Sequence, residues 1–150
     1  MGLFNLFRKR PVFQDEFFGA LKFFSNKNTN GFFSGTIHFP PVKKEIELLI
    51  RAEIDGPTEK HREFYHQFQQ NYLMYIEKAQ QLIEEEFRNW KEDFAIVDFN
   101  TEFSLIHLEI PNPEVRPLTW DISFSSIHDL NHYFTISFAG EEATSIVIDG

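Results

Sequence analysis

The chain has 150 residues, a formal net charge of −9 and no cysteine. This length is typical of one domain, and the lack of cysteine excludes disulfides, thiolate metal sites and cysteine nucleophiles. Hydrophobic residues make up 42% of the chain and charged residues 25%, which is typical of a globular protein rather than a disordered one, and no apolar run approaches the length of a membrane span.

The first ten residues place apolar side chains before positive charges. Residues 3–7 hold four apolar side chains and residues 8–10 are all basic. A secretory signal has the reverse order, so we expect a cytoplasmic protein. Residues 1–10 suit a short amphipathic turn, but they are too few for stable membrane association. We therefore expect residues 1–12 to be a flexible segment or to dock on the domain.

Three strands are predicted in the first part of the chain, over residues 17–24, 32–39 and 45–54. The third has the clearest pattern, because Ile46, Leu48 and Ile50 alternate with residues that leave one face wet. A polar loop over residues 25–31 and the pair Pro40-Pro41 separate the strands. Short connections indicate antiparallel neighbours, so these strands are predicted to form a meander.

A single long helix is predicted from Thr58 to about Glu92, a stretch without glycine or proline. Apolar residues recur there at steps of three and four, which indicates a helix with one buried stripe. Thr58 follows a Gly-Pro pair and suits the N-cap position.

The predicted helix is long for a compact domain of this size. At 1.5 Å per residue it would extend roughly 50 Å, whereas the domain should be about 40 Å wide. We expect a bend near Glu84–Asn89, or else a protruding end. A protruding end would present Phe87 and Trp90 as a contact surface for a second chain, as in a homodimer.

Four more strands are predicted after the helix, over residues 103–110, 118–125, 132–138 and 144–148, with a turn over residues 126–131. The fold class is therefore α+β, in one domain over residues 1–150. A central helix (58–92), bent or straight, covers an antiparallel sheet of about seven strands in two meanders. Whether the two meanders form one sheet or two stays open.

Histidines are the main candidates for chemistry. His128 and His132 are four residues apart, which resembles the spacing of a helical zinc pair. They lie in a predicted turn, however, where side chains at this spacing need not converge, so we predict no metal site. His107 belongs to one face of its strand, and Asp121 on the polar face of the next strand is a candidate neighbour.

No other pattern indicates catalysis. His61 and His66 lie on different faces of the predicted helix, and both are expected to be solvated. The serines after Asp121 do not stand in a Gly-x-Ser-x-Gly turn, and the glycines form no phosphate-binding pattern. We therefore predict no catalytic residue and no cofactor.

The charge is concentrated at the end of the sequence. Residues 94–150 contain nine acids against one basic residue, Arg116, a net charge of −8. This disfavours nucleic-acid binding, because a phosphate backbone would be repelled. An acidic surface that includes Asp121, Glu141 and Glu142 suits a basic protein partner. The alternative is a small hydrolase or metal-binding enzyme that uses histidine and carboxylate side chains of the C-terminal sheet.

Two stretches carry a resemblance to known proteins: Asp55-Gly56-Pro57-Thr58-Glu59-Lys60-His61 before the helix, and Trp120-Asp121-Ile122-Ser123-Phe124 through Ile148-Asp149-Gly150. In these, and in its order of strands and helix over residues 17–150, the chain resembles a group of small bacterial α+β domains of unknown function. Some of that group are similar to immunity proteins of polymorphic toxin systems. The resemblance implies a cytoplasmic single-domain protein that binds another protein, and it assigns no role to any single residue.

Overall fold

The structure is a computed structural model that describes residues 11–26 and 29–150. The expectation for residues 1–10 lies outside this range. The strands before the helices are β1 (Val12–Asp15), β2 (Gly19–Asn26), β3 (Thr29–Phe39) and β4 (Lys44–Arg51). The helices are α1 (Glu59–Gln70), α2 (Tyr72–Phe87) and the short α3 (Phe99–Glu102). The chain ends with β5 (Phe103–Ile110), β6 (Thr119–Ser126), β7 (Asp129–Ala139) and β8 (Glu142–Asp149).

All of these strands belong to one sheet, and their order in the sheet follows their order in the chain. Every neighbouring pair is antiparallel except β4 and β5, which are parallel because the helices connect them. The α+β class is confirmed, and the two predicted meanders join at this parallel pair. The sheet has eight strands rather than seven, since the sequence analysis missed β1. The predicted turn at 126–131 is also too long, because β7 already begins at Asp129.

The predicted single long helix is wrong, because two helices meet at Asn71. The Asn71 backbone departs from helical geometry, with φ −105° and ψ 21°, and its side chain donates from Nδ2 to the backbone oxygen of Gln67 at 2.9 Å. A hydrogen bond between Gln67 and Tyr75 spans the junction at 2.6–2.7 Å. The break therefore lies well before the predicted bend at Glu84–Asn89.

The first turn of α1 corrects the expectation for His61, which is 4% exposed rather than solvated. Its Nδ1 accepts the backbone N–H of Thr58 at 2.9 Å, and its Nε2 lies 2.8 Å from the carbonyl oxygen of Arg51. A carbonyl only accepts, so the ring carries its proton on Nε2 and is neutral. Burial lowers the pKa of His61 accordingly. His66, in contrast, is exposed.

The helices cover one face of the sheet, and this interface is largely aromatic. Phe39 stacks on Phe68 at 5.4 Å, and Trp120 stacks on Phe138 at 4.6 Å. Tyr75 contacts Trp120 edge-on at 5.0 Å. Such offset and edge-on contacts are the favourable geometries for aromatic rings. The aliphatic residues of β4 that the sequence placed on the dry face, such as Ile46, Leu48 and Ile50, are all buried here.

Phe87 at the end of α2 is part of this core, so the alternative of a protruding end that presents Phe87 is wrong. Its ring stacks on Phe94 at 4.4 Å and on Phe134 at 5.3 Å, and only 6% of the residue is exposed. Trp90 in the following turn is 61% exposed. No helix in the described part of the chain is long and apolar enough to cross a membrane.

Candidate functional site

The face of the sheet opposite the helices carries polar side chains, because every second residue of each strand points away from the core. Thr36, Glu47, His107, Ser123 and Thr135 are successive partners across β3 to β7 and form one row over five strands. This face, which no helix of the described part of the chain covers, forms an open groove of about 870 Å³. Three of the candidate residues from the sequence, His107, Asp121 and Ser123, line this groove.

The groove is strongly acidic. Its walls include five carboxyl groups and, among the described residues that line it, no lysine or arginine. The five are Glu45, Glu47, Glu109, Asp121 and Asp149. Asp121 is thus the one predicted acidic site residue that lies on this surface.

Glu109 and Asp121 are two of the acids that line the groove. They lie on the neighbouring strands β5 and β6. Burial raises the pKa of both carboxyl groups, and the negative charge of Asp121 raises the pKa of Glu109 further.

Arg51 on β4 opposes the rise in the pKa of these two acids. Its Nε lies 3.3 Å from Oε1 of Glu109, and its charge acts to lower the pKa of both acids. Glu109 also lines a second cavity of about 320 Å³ beside Arg51, whose wall includes Pro111, Val115 and Pro117. The Arg51–Glu109 ion pair therefore separates the acidic groove from a smaller, more apolar cavity.

His107 lines the same groove as these acids. Burial lowers its pKa, although Nδ1 lies 4.0 Å from Oε2 of Glu47 and that carboxylate acts in the opposite direction. The adjacent Ser123 is hydrogen-bonded to Thr135, with 2.8 Å between the hydroxyl oxygens. A serine nucleophile needs a hydrogen bond to its base, and here the serine hydroxyl is engaged with Thr135 instead.

Glu141 and Glu142 lie apart from the groove, in the turn between β7 and β8. Lys78 of α2 donates from Nζ to the backbone oxygen of Glu141 at 2.7 Å, and it contacts Oε1 of Glu142 at 3.4 Å. The structure therefore separates Asp121 from the two glutamates that were grouped with it.

His128 and His132 are held by different carboxylates. Nε2 of His128 lies 2.7 Å from Oε1 of Glu102, and Nδ1 of His132 lies 2.7 Å from Oδ2 of Asp129. Within the described residues, no group of three or more histidine and acidic side chains could hold a metal ion.

The sequence analysis missed Glu102. This residue connects three segments of the chain. Its second oxygen accepts the backbone N–H groups of Val97 and Asp98 at 2.8 and 2.6 Å. These hydrogen bonds hold the pKa of Glu102 below its usual value, and the bond from Asp98 contributes most to this shift. The network fixes the segment before β5 to the turn between β6 and β7, and its role is structural.

Of the other residues that the sequence analysis left out of the site, Glu47 and Glu109 matter most. Both alternate with buried aliphatic residues of their strands, as Asp121 does. This alternation was the available signal that they share a face with Asp121. Comparisons with protein-family models, curated proteins and solved structures found no match to this chain.

Proposed function

We propose that this protein is a non-enzymatic, cytoplasmic protein-binding domain that takes a basic protein partner on its acidic groove. The observation that supports this best is the groove itself, where five carboxyl groups converge without a lysine or arginine in the described wall. The resemblance to bacterial domains similar to immunity proteins agrees with such a role. An immunity-type protein would neutralise its partner by occupying a basic surface on it.

The physical basis of this proposal is electrostatic complementarity. Lysine and arginine side chains of a partner would be attracted to the groove over several ångströms, which raises the association rate at low ionic strength. Glu47 has a side chain that is 77% exposed, so it can meet a partner charge without a large desolvation cost. His107, Ser123 and Thr135 supply uncharged hydrogen-bonding groups along the same row.

The test uses two charge reversals that are matched in size. Glu47→Lys with Asp149→Lys changes the groove, whereas Glu77→Lys with Glu85→Lys changes exposed positions of α2. Each immobilised variant and the original chain is incubated with native cell lysate at low and high salt, and bound proteins are quantified by mass spectrometry. We expect a basic protein that binds the original chain and the α2 variant at low salt, and that is lost from the groove variant.

Retention of the same protein by the groove variant would contradict the proposal. Failure of the original chain to retain any basic protein at low salt would contradict it as well. Circular dichroism of each variant controls for folding, because all four substituted side chains are exposed.

A second candidate function is a small hydrolase, which the position of His107, Glu109 and Asp121 in one groove favours. Two neighbouring carboxyl groups with raised pKa values can supply a general acid and a general base. We expect that Asp121→Asn would then abolish hydrolysis of any chromogenic ester, glycoside or phosphoester that the original chain cleaves. Cleavage that survives this substitution, or a chain that cleaves none of these substrates, would contradict the second candidate.

A further inference from the structure

The sheet is open, so it has two edge strands, and they differ in how well they are protected. β1 has four residues and follows Pro11 directly. A short edge strand and an adjacent proline are two of the devices by which proteins prevent another strand from pairing at an edge. The β1 edge is therefore protected.

β8 at the other edge lacks most such devices. It has eight residues, Glu142–Asp149, with the sequence EATSIVID. It contains no proline and no lysine, and among the described residues it is paired with β7 alone. A register shift beside Phe138 affects only its start. From Ser145 to Asp149 the strand is regular, and half of its backbone N–H and C=O groups face outward without a strand partner.

The side chains of this regular part are apolar on both faces of the sheet. Val147 lies on the face of the acidic groove and is 52% exposed. Ile146 and Ile148 lie on the opposite face, where they pack at the margin of the core and remain partly exposed. An exposed valine between two partly exposed isoleucines on an edge strand is an unusual composition for an edge in contact with water.

We propose that β8 pairs with β8 of a second copy of this chain, antiparallel and centred on Val147, so that two sheets join into one. In this register Val147 lies opposite Val147 of the second copy. Ile146 lies opposite Ile148, and Ser145 lies opposite Asp149. Apolar residues then meet apolar residues on both faces, and cross-strand pairs of this kind stabilise antiparallel sheets.

Charge supports this register and argues against a shifted one. Centring on Val147 pairs residues 144–150 and leaves Glu141 and Glu142 outside the paired segment. Centring on Ser145 would place Glu141 opposite Asp149, and like charges directly opposite each other destabilise a sheet. Centring on Ile146 would place Val147 opposite Ser145 and lose the contact between valines.

The symmetry of this pairing determines the shape of the dimer. Two identical antiparallel strands in one sheet are related by a two-fold axis perpendicular to the sheet. The helices of both copies then lie on one side and both acidic grooves on the other. The dimer goes beyond the proposed function and does not depend on it, but it would place two acidic grooves on one continuous surface.

Salt distinguishes the two proposals. Each chain carries a net charge of −9, so two copies repel each other, and added salt weakens that repulsion. Dimerisation should therefore increase with salt, whereas binding of a basic partner to the groove should decrease. A failure of one proposal is thus visible separately from a failure of the other.

The chain offers a direct test because it contains no cysteine. In the proposed register the two Val147 Cα atoms lie about 4.5–5.5 Å apart, within the range that a disulfide spans. Val147→Cys should form a covalent dimer under mild oxidation. Val12→Cys is the matched control, since Val12 is also 52% exposed and lies on the other edge strand. We expect that control to remain predominantly monomeric.

Sedimentation velocity of the original chain at low and high salt completes the test. We expect a dimer whose fraction increases with concentration and salt, and a monomer for folded Val147→Lys, with Val12→Lys unchanged. A monomeric original chain, together with equal disulfide formation at positions 12 and 147, would overturn the proposal. A monomeric original chain whose capture of a basic partner is lost in Val147→Lys would also overturn it, and would assign the β8 edge to that partner.

Discussion

Glu109 and Asp121 line the same acidic groove from the neighbouring strands β5 and β6. Burial raises the pKa of both groups, and Arg51 contacts Glu109. The negative charge of Asp121 also raises the pKa of Glu109, whereas the positive charge of Arg51 acts to lower the pKa of both acids. The charge of the groove should therefore depend on pH, whatever the groove binds.

Asp121→Asn should stabilise the fold at neutral pH, by on the order of 1 kcal/mol, because it removes a like-charge contact at a partly screened site. In the original chain the folded state keeps protons at pH values above the ordinary glutamate pKa of 4.5, where the unfolded state has lost them. Its free energy of unfolding should thus decrease as the pH rises through the raised pKa values. Urea unfolding between pH 4.5 and 8 measures this, and the variant should show a smaller slope.

Arg51→Met is the opposite change, since it removes the cation and leaves both acids. We expect it to lower the free energy of unfolding at neutral pH by about 1–2 kcal/mol, with a steeper decrease towards high pH. Equal stability of this variant and the original chain at pH 8 would show that solvent screens the pair.

His61→Ala should destabilise the protein by about 2 kcal/mol. It removes the cap of α1 and leaves the carbonyl of Arg51 without its donor. Because burial lowers the pKa of His61, the unfolded chain binds a proton more readily as the pH decreases below 6.5. Stability should therefore decrease from pH 6.5 downwards in the original chain, and His61→Gln should lack this component. Chemical unfolding measures both effects, and exposed His66→Ala should change stability by less than about 0.5 kcal/mol.

Glu102→Gln should lower the free energy of unfolding by about 2 kcal/mol. The single oxygen of the amide cannot accept hydrogen bonds from two backbone N–H groups and from His128 together. The pKa of Glu102 is held below its usual value, so the stability that its charged form provides is present above pH 4.5 and is lost as the pH decreases through the lowered pKa. The variant should not show that loss. Glu92→Gln, at an exposed position before the same segment, is the control in the same unfolding assay.

Phe87→Ala and Trp90→Ala separate the buried aromatic residue from the exposed one. Phe87→Ala should lower the free energy of unfolding by about 3–5 kcal/mol, because it opens a cavity between Phe94 and Phe134. Trp90→Ala should cost less than about 1 kcal/mol, since the ring is largely in water. Similar unfolding midpoints for the two variants would contradict the burial of Phe87.

The strands were predictable where alternation was regular, and β5 has the predicted bounds. β1 was not predictable, because four residues beside a proline are too few to show a regular alternation. Only its pairing with β2 defines it as a strand. The break at Asn71 was not predictable either. Asparagine is tolerated in helices, and the departure of the Asn71 backbone from helical φ and ψ appears only in the structure.

The site was predictable in part. Asp121 could be placed on the wet face of its strand from alternation alone. Its pairing with Glu109 depends on the register between β5 and β6, which a bulge near Leu105 shifts by one residue. A one-residue shift moves every later side chain to the other face. The position of His61 at the third residue after Thr58 did carry a signal, since a capping box has this spacing.

The parallel pairing of β4 and β5 also bears on how the chain reaches this fold. Every other strand pair is joined by a short local connection, and these hairpins can close quickly at little entropic cost. Only the pairing of β4 with β5 must wait for residues 52–102 to be brought together as one large loop. Contact order is therefore low within each half of the sheet and high at this one junction, where the rate-limiting step of folding should lie.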